Sequence, residues 1–387
     1  MIKVVDLFSG AGGLTFGFQK KNKNGVFIAR NDFNIAFANE FDNNAAEAFR
    51  KNYPNIPMIH DDIANLTPKY LESCNIDINN VDLVIGGPPC QSFSTVGKRQ
   101  YDNRAKMYRE YRRLLSFIQP KMFVFENVYG LLTMKNDQNG PVIRNIKESF
   151  QDLSSFGDVK GYNIHIARLN AKDYGVPQNR ERVFLIGIRT DLKLKSEWSF
   201  PVPITSEKPI TLREAISDLP KLGNNETTNN YSVAPLSEYQ RLMRGDCETL
   251  SNHTSRNHGE RLRDIMAALE EGQGKNDINR MVEEGRLSKD LYLTSGYANT
   301  YGRLWWDRPS TTITNNLSTP SSLRCIHPEQ DRALTAREGA RIQSFPDNFH
   351  FVGGLQAVNM QIGNAVPPIL SIHLANQIAD FFIENKL

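Results

Sequence analysis

Four short apolar runs, rich in β-branched and aromatic residues, are each followed by a segment whose apolar positions recur at helical spacing. KVVDLF (3–8) leads into a helical stretch ending near Lys20, and IAFANEF (35–41) leads into NNAAEAFRKN. VDLVIGG (81–87) precedes KMYREYRRLLSFI, and MFVFENV (122–128) precedes a helix between Val142 and Phe150. Such alternation predicts right-handed βαβ units and a mostly parallel, doubly wound sheet. YNIHIARLNA and RVFLIGIRT predict two more strands whose short connection suits an antiparallel hairpin at the sheet edge. The fold class expected is α/β.

Beyond about Thr190 the alternation stops. LKLKSEW, PVPITSEKP and GNNETTNN interleave with short helical pieces such as ERLRDIMAALEEG, and regularity returns with TAREGARIQSF and a last helix after GNAVPP. Three parts are expected: an α/β domain over 1–200, a smaller irregular domain over 201–330 with its hinge near 305–335, and a segment over 331–387 that returns to the first domain.

Composition narrows the classes of function without naming one. With 387 residues and 40% hydrophobic content, the chain can fill a sizeable core. Its 46 Lys and Arg against 43 Asp and Glu leave a net charge of +3, so a polyanion site must come from local clustering. One cluster exists, Thr95 to Arg113, with seven basic and two acidic residues. It reads either as a solvated loop running into an amphipathic helix or as a phosphate-facing loop. The four cysteines, Cys74, Cys90, Cys247 and Cys325, form no CxxC, which fits neither a disulfide framework nor a zinc site and suggests a reducing compartment. MIKVVDLFSG enters a strand at once, and no apolar run approaches the length of a membrane span. A cytoplasmic protein without metal or membrane partner is expected.

The candidate chemistry sits at strand ends. GGPPCQSFS puts Cys90 on a proline-stiffened exit rather than inside the strand, where a cysteine would merely pack. DLFSGAGG, Asp6 to Gly13, follows the first strand and opens a helix, and its glycines allow close approach of backbone to a ligand. The pattern is not GxGxxG, so a cofactor with an adenosine and an amino-acid tail fits as well as a pyrophosphate, and a tight structural turn is the other reading. Glu40 is placed for ribose hydroxyls and Asp62, in HDDIANL, for an adenine amino group; helix capping would account for either.

DLFSGAGG, GGPPCQSFS, FENVYGLL, QNRERVFLIG and QIGNAVPP, in this order, resemble the motif series of the DNA (cytosine-5) methyltransferases over about 1–190 and 305–387. The resemblance implies a Rossmann-like core that uses S-adenosylmethionine and acts on double-stranded DNA. It implies cofactor contacts from Phe8, Ser9, Gly10, Ala11, Gly12, Gly13 and Leu14, then Glu40 with Phe41 and Asp62 with Ile63, and finally Gly87, Pro89, Asn364 and Ala365. The Cys90 thiolate would add to cytosine C6 and make C5 electron-rich. Glu126 would hydrogen-bond or protonate ring N3, which asks for a raised carboxyl pKa. Arg182 would hold the base oxygen, and Arg180 would organise the site or meet a phosphate. Because an intrahelical base is out of reach, the cytosine must flip out, with Ser94, Lys98, Arg99 and Arg104 behind Cys90 closing on the DNA.

Within that resemblance, 200–305 is the expected target-recognition domain, Trp305 and Trp306 read as packing, and His253 and His258 read as surface or phosphate-contacting rather than metal-binding. NGVFIARNDFN lengthens the chain after the first helix, and DNRAKMYREY lacks the glycine usual after its arginine. A tRNA cytosine-5 enzyme is a rival that the long middle segment disfavours. An inactive DNA-binding relative is disfavoured by the joint presence of Cys90, Glu126 and Arg182, and an NAD dehydrogenase by the missing GxGxxG. The compact organisation resembles bacterial or phage modification enzymes, and a monomer is expected.

Overall fold

The computed structural model describes residues 1–89, 107–135 and 140–387. Its strands are β1 (Ile2–Leu7), β2 (Lys20–Lys23), β3 (Val26–Ala29), β4 (Phe33–Glu40), β5 (Met58–His60), β6 (Leu83–Gly86), β7 (Met122–Val128), β8 (Tyr162–Asn170) and β9 (Glu181–Arg189). Seven form one sheet in the order β5-β4-β1-β6-β7-β9-β8. The first five in that order are parallel, and β9 runs antiparallel to both β7 and β8. The central strands are covered on both faces, which is why they read as continuous apolar runs rather than alternating ones. Strand order reverses between β1 and β6, and in open α/β sheets the crevice beyond the carboxyl ends at that point receives the ligand.

Each sheet face carries its own core. On one face the helices Met107–Ile118 and Val142–Gln151 cover Val5, Val84, Phe123 and Leu185. On the other, Val4, Ile85, Val124 and Ile186 pack with the helix Gly13–Gln19 and the 18-residue helix Pro368–Asn385. The chain therefore does return to its start. The two helices meet so closely that a Cβ at Gly17 would overlap the Ser371 backbone, and the Ser371 hydroxyl donates to Leu14 O.

The lengthening stretch after the first helix is a hairpin, β2 and β3, turned by Asn24 and Gly25 with φ of 55° and 76°. Both left-handed residues are what a tight two-residue turn requires. At its base the Arg30 guanidinium donates to Gly17 O and Asn376 Oδ1, each at 3.0 Å, joining the hairpin to both helices.

The middle segment divides by its packing. Leu212, Ile216, Tyr239, Met243 and Leu304 belong to the same core as Val4 and Ile85, whereas Ile265, Met266, Ile278, Tyr301 and Ile326 form a small core of their own. Trp306 is buried edge-on to His327, and the Trp305 ring carries the Arg308 and Arg324 guanidiniums at 4.7 and 4.5 Å. The expectation for the histidines is corrected: His253 and His258 are 1% and 5% exposed. The His253 ring nitrogens pair with Thr335 Oγ1 and Pro220 O at 3.0 and 2.9 Å. Burial lowers the pKa of both histidines, so they are neutral packing groups that no phosphate can reach.

Candidate active site

A cavity of about 450 Å³ opens at the carboxyl ends of β1, β4, β6 and β7, at the switch point. Phe8, Ser9, Gly10, Ala11, Gly13 and Leu14 form one wall of it, and Glu40, Phe41, Asp62 and Ile63 another. Gly87 and Pro89, Asn364 and Ala365, and the pair Glu126 and Arg182 also line it. Residues expected at a cofactor and residues expected at a base thus share one space. Cys90, Ser94, Lys98, Arg99 and Arg104 lie outside the described residues.

Gly12 corrects the sequence expectation, because it does not line the cavity. It starts the helix in a left-handed conformation, φ 97°, and a Cβ there would overlap the Tyr53 ring, whose hydroxyl donates to Gly12 O at 2.8 Å. Its glycine is required by the turn. Gly10 is the reverse case, with positive φ and open space where a side chain would be.

Glu40 accepts Gly10 N–H on Oε2 at 2.8 Å and the Phe41 and Asp42 N–H groups on Oε1 at 2.9 and 2.8 Å. The carboxylate therefore fixes the loop after β1 against the loop after β4. Burial raises its pKa, and these three N–H donors work against that rise. Asp62 caps the short turn Ile63–Asn65 through Ala64 N–H at 2.9 Å, so capping and cavity lining coexist. Asn39, which sequence reading missed, fastens the floor by donating to Ile59 O and Asp61 O at 3.1 and 2.9 Å.

Asp6 was also missed, although it stands in the first motif as an acid inside an apolar strand. It is fully buried and accepts the Thr15 hydroxyl on Oδ2, while Oδ1 has no hydrogen-bond partner among the described residues. Burial pushes its carboxyl up to about 7; the Thr15 bond opposes the rise and nearby Glu40 adds to it. The folded chain then keeps a proton that the unfolded chain releases from pH 3.8 upward, so stability falls as pH rises to about 7 and the penalty is complete above that. Asp6→Asn cannot ionise, so its stability relative to the wild type should improve by roughly 2–3 kcal/mol from about pH 5 to pH 8. Urea unfolding of both chains at the two pH values measures this, and an offset independent of pH would mean that Asp6 does not carry the penalty.

At the base side, Arg182 Nε lies 3.1 Å from Glu126 Oε1, both side chains being about nine-tenths buried. Burial raises the Glu126 pKa, and the nearby Arg182 and Arg180 charges act against it. Asn127 ties the proline exit to β7, its Nδ2 donating to Pro88 O at 3.4 Å. Gly87 packs on the carboxylate, since a Cβ there would stand 2.6 Å from Glu126 Oε2.

Arg180 is fully buried and donates to Ile313 O, Gly363 O and Ala365 O at 2.7, 2.8 and 3.0 Å. Of its two expected roles, the geometry supports organising the site: it brings the loop at Ile313 and the cofactor-side segment at 363–365 to the start of β9. A phosphate contact is corrected, because the guanidinium has no path to solvent-borne DNA.

The family model for C-5 cytosine-specific DNA methylase matches residues 2–380. The chain is 36% identical to the type II methyltransferase M.DdeI of Desulfomicrobium norvegicum, covering 98% of this chain and 89% of that one. It is 32% identical to M.AgeI of Thalassovita gelatinovora, over 97% and 99% of the two chains. A solved prophage-encoded protein of E. coli, described as a DNA modification methyltransferase, superposes with a TM-score of 0.74 at 25% identity, covering 99% and 100%. The Dnmt2 methyltransferase of S. pombe shares the fold, with a TM-score of 0.59 at 16% identity and 99% of each chain covered. With its motif series, its switch-point cavity and these matches, the chain belongs to the C-5 cytosine-specific DNA methylases and is a DNA cytosine-5 methyltransferase.

Proposed function

We propose that the protein is the sequence-specific modification enzyme of a restriction-modification system, working in the cytoplasm. The reading is supported above all by one observation: a single cavity joins the Glu126–Arg182 pair to the Glu40, Phe41 and Asp62 wall, and the chain leaves it through Pro88 and Pro89 toward Cys90. The relatives named as type II methyltransferases agree with it.

S-adenosylmethionine fits this cavity. The Glu40 carboxylate keeps an acceptor position beyond its three backbone donors, Phe41 is 71% exposed at the rim as an apolar ring, and Gly10 leaves backbone open to approach. Glu40 would take the ribose, Phe41, Asp62 and Ile63 the adenine, and Phe8 to Leu14 with Asn364 and Ala365 the methionine part. When bound it supplies an electrophilic methyl group.

The remaining chemistry belongs to the chain. Cys90 adds as thiolate to C6 of the flipped cytosine, and its S–C bond places electron density on C5. Glu126, whose carboxyl pKa burial raises, donates to N3 as that density builds, and Arg182 binds the base oxygen. After methylation a base removes the C5 proton, the S–C bond breaks, N3 returns its proton to the Glu126 carboxylate and the ring regains its C5–C6 double bond. Of the middle segment, the part with its own core, around 262–301, is the piece we assign to target recognition.

Incubation with tritiated S-adenosylmethionine and unmethylated genomic DNA, followed by bisulfite sequencing, tests the reading. Methylated cytosines confined to one short motif are expected. Methylation scattered without a motif would overturn sequence specificity, and label entering tRNA in preference to DNA would move the substrate.

A further inference from the structure

We propose that Arg113 is a positioning residue for the methyl donor, its guanidinium bracing the carbonyl groups behind Asp62 and Ile63 so that the adenosine end of the cavity keeps its shape. The proposal rests on the reading that Asp62 and Ile63 meet the adenosine.

The wall in question is a slight one. After β5 the chain makes a single turn, Ile63–Asn65, in which Ile63 is the buried residue and Asp62, Ala64 and Asn65 are exposed. The turn itself holds Ile63 O with one bond, from Leu66 N–H at 3.2 Å, and a donor from elsewhere can fix that carbonyl and Leu66 O together. Arg113 does so from outside. Its Nη2–H donates to Ile63 O at 2.7 Å and its Nη1–H to Leu66 O at 2.8 Å, and Glu110 Oε2 steadies its Nε at 2.7 Å. The planar fork suits two carbonyls at fixed separation, which a lysine cannot span. On the opposite side Asn39 donates to Asp61 O, so the wall is clasped between two side chains.

The donor's origin gives the contact its meaning. Arg113 belongs to the helix Met107–Ile118, whose first residue itself lines the cavity. Close to the helix midpoint, the Tyr111 hydroxyl sits 2.8 Å from Val124 O and 3.2 Å from Val84 O, on the strand that carries Glu126 and the strand that leads to Gly87. One helix thus sets the adenosine wall and the base-side strands in a common frame. The adjacent Arg112 makes a comparable set of bonds away from the cavity, to Ser149 O and Asp152 O, both at 2.7 Å. It is an internal control for what loosening the helix does by itself.

Calorimetric titration with S-adenosylhomocysteine, alongside kcat and KM for S-adenosylmethionine, separates the possibilities. Arg113→Met should weaken binding and raise KM by about tenfold, the loss of two charge-assisted bonds. At saturating S-adenosylmethionine its kcat should stay near the wild-type value. Arg113→Lys should fall between, and Arg112→Met should bind as the wild type does even where its melting temperature drops as far. Asp62→Ala reports on the underlying reading. If Asp62→Ala weakens binding and Arg113→Met does not, the proposal is overturned and the cofactor reading stands. If Asp62→Ala binds normally, that reading fails and takes the proposal with it. Equal weakening in the Arg112 and Arg113 variants would mean general loosening and would also overturn it. Should Arg113→Met not fold, wild-type affinity in Arg113→Lys decides against the proposal.

Discussion

Glu126→Gln is expected to lower kcat by about two to four orders of magnitude, the span of a general acid, while S-adenosylhomocysteine affinity stays within about threefold. Glutamine fills the same volume beside Arg182 and still offers an N–H toward ring N3. What it lacks is a proton to transfer. The wild-type carboxyl is suited to that task, because burial raises its pKa above the ordinary 4.5 despite two nearby arginines. Its acid form is the active one, so wild-type kcat should fall as pH rises through that raised pKa, and this limb should vanish in the variant. A loss below about tenfold would mean that hydrogen bonding suffices and that proton donation by Glu126 is not used. Gly87→Ala approaches the same carboxylate from outside: its Cβ would stand 2.6 Å from Oε2, so the side chain must swing away from Arg182. That variant should lose kcat although it keeps the carboxyl, and with Arg182 farther away the pH limb should shift upward rather than vanish.

Much of this site was legible because its residues sit at strand ends, and strands announce themselves. MFVFENV coincides with β7, NNAAEAFRKN with the helix Asn43–Asn52, and the predicted hairpin with β8 and β9. Once the strand ends are known, a doubly wound sheet brings Glu40, Gly87 and Glu126 to one crevice without further information. Other residues were hidden because their meaning lies in what they touch. Gly12 looks like its neighbours in the motif, yet its conformation answers to the Tyr53 ring. His253 sits among polar residues in NHTSRNHG, and nothing local signals that Thr335 and Pro220 will enclose it. Asn24–Gly25 was a readable turn signal, passed over because the flanking strands are only four residues each and the first, KKNK, is wholly polar. Arg113 was read only as part of a basic cluster, since its carbonyl partners are some fifty residues upstream.

Asp347→Ala should be the most damaging single change to stability away from the cavity, about 3–5 kcal/mol, because it removes one partner of a buried ion network and leaves the others. Asp347 receives Arg341 through both oxygens at 2.6 Å, has Arg337 3.6 Å away, and accepts the Tyr231 hydroxyl at 2.6 Å. Arg341 turns its other edge to Asp218 and Ala215 O. The helix Ala336–Ile342 is thereby bound to the helix Leu212–Ile216 and to the loop at Tyr231, across more than a hundred residues of sequence. Without Asp347, Arg337 and Arg341 are two buried cations facing a single carboxylate. Tyr231→Phe, which removes one neutral donor and leaves the charges paired, should cost only about 1 kcal/mol. The same network sets the response to acid. The arginines hold the Asp347 pKa below its ordinary 3.8 and that of Glu338, paired with Arg332, below 4.5. Both carboxylates therefore contribute stability that is full above those ordinary values and is lost as pH falls through the lower folded ones. In Asp347→Ala the Asp347 share of that acid loss should be absent, so the variant's deficit, measured by urea unfolding, should shrink below about pH 4. A deficit that stayed constant down to acid pH would mean that lost packing, and not the unpaired arginines, is what the substitution exposes.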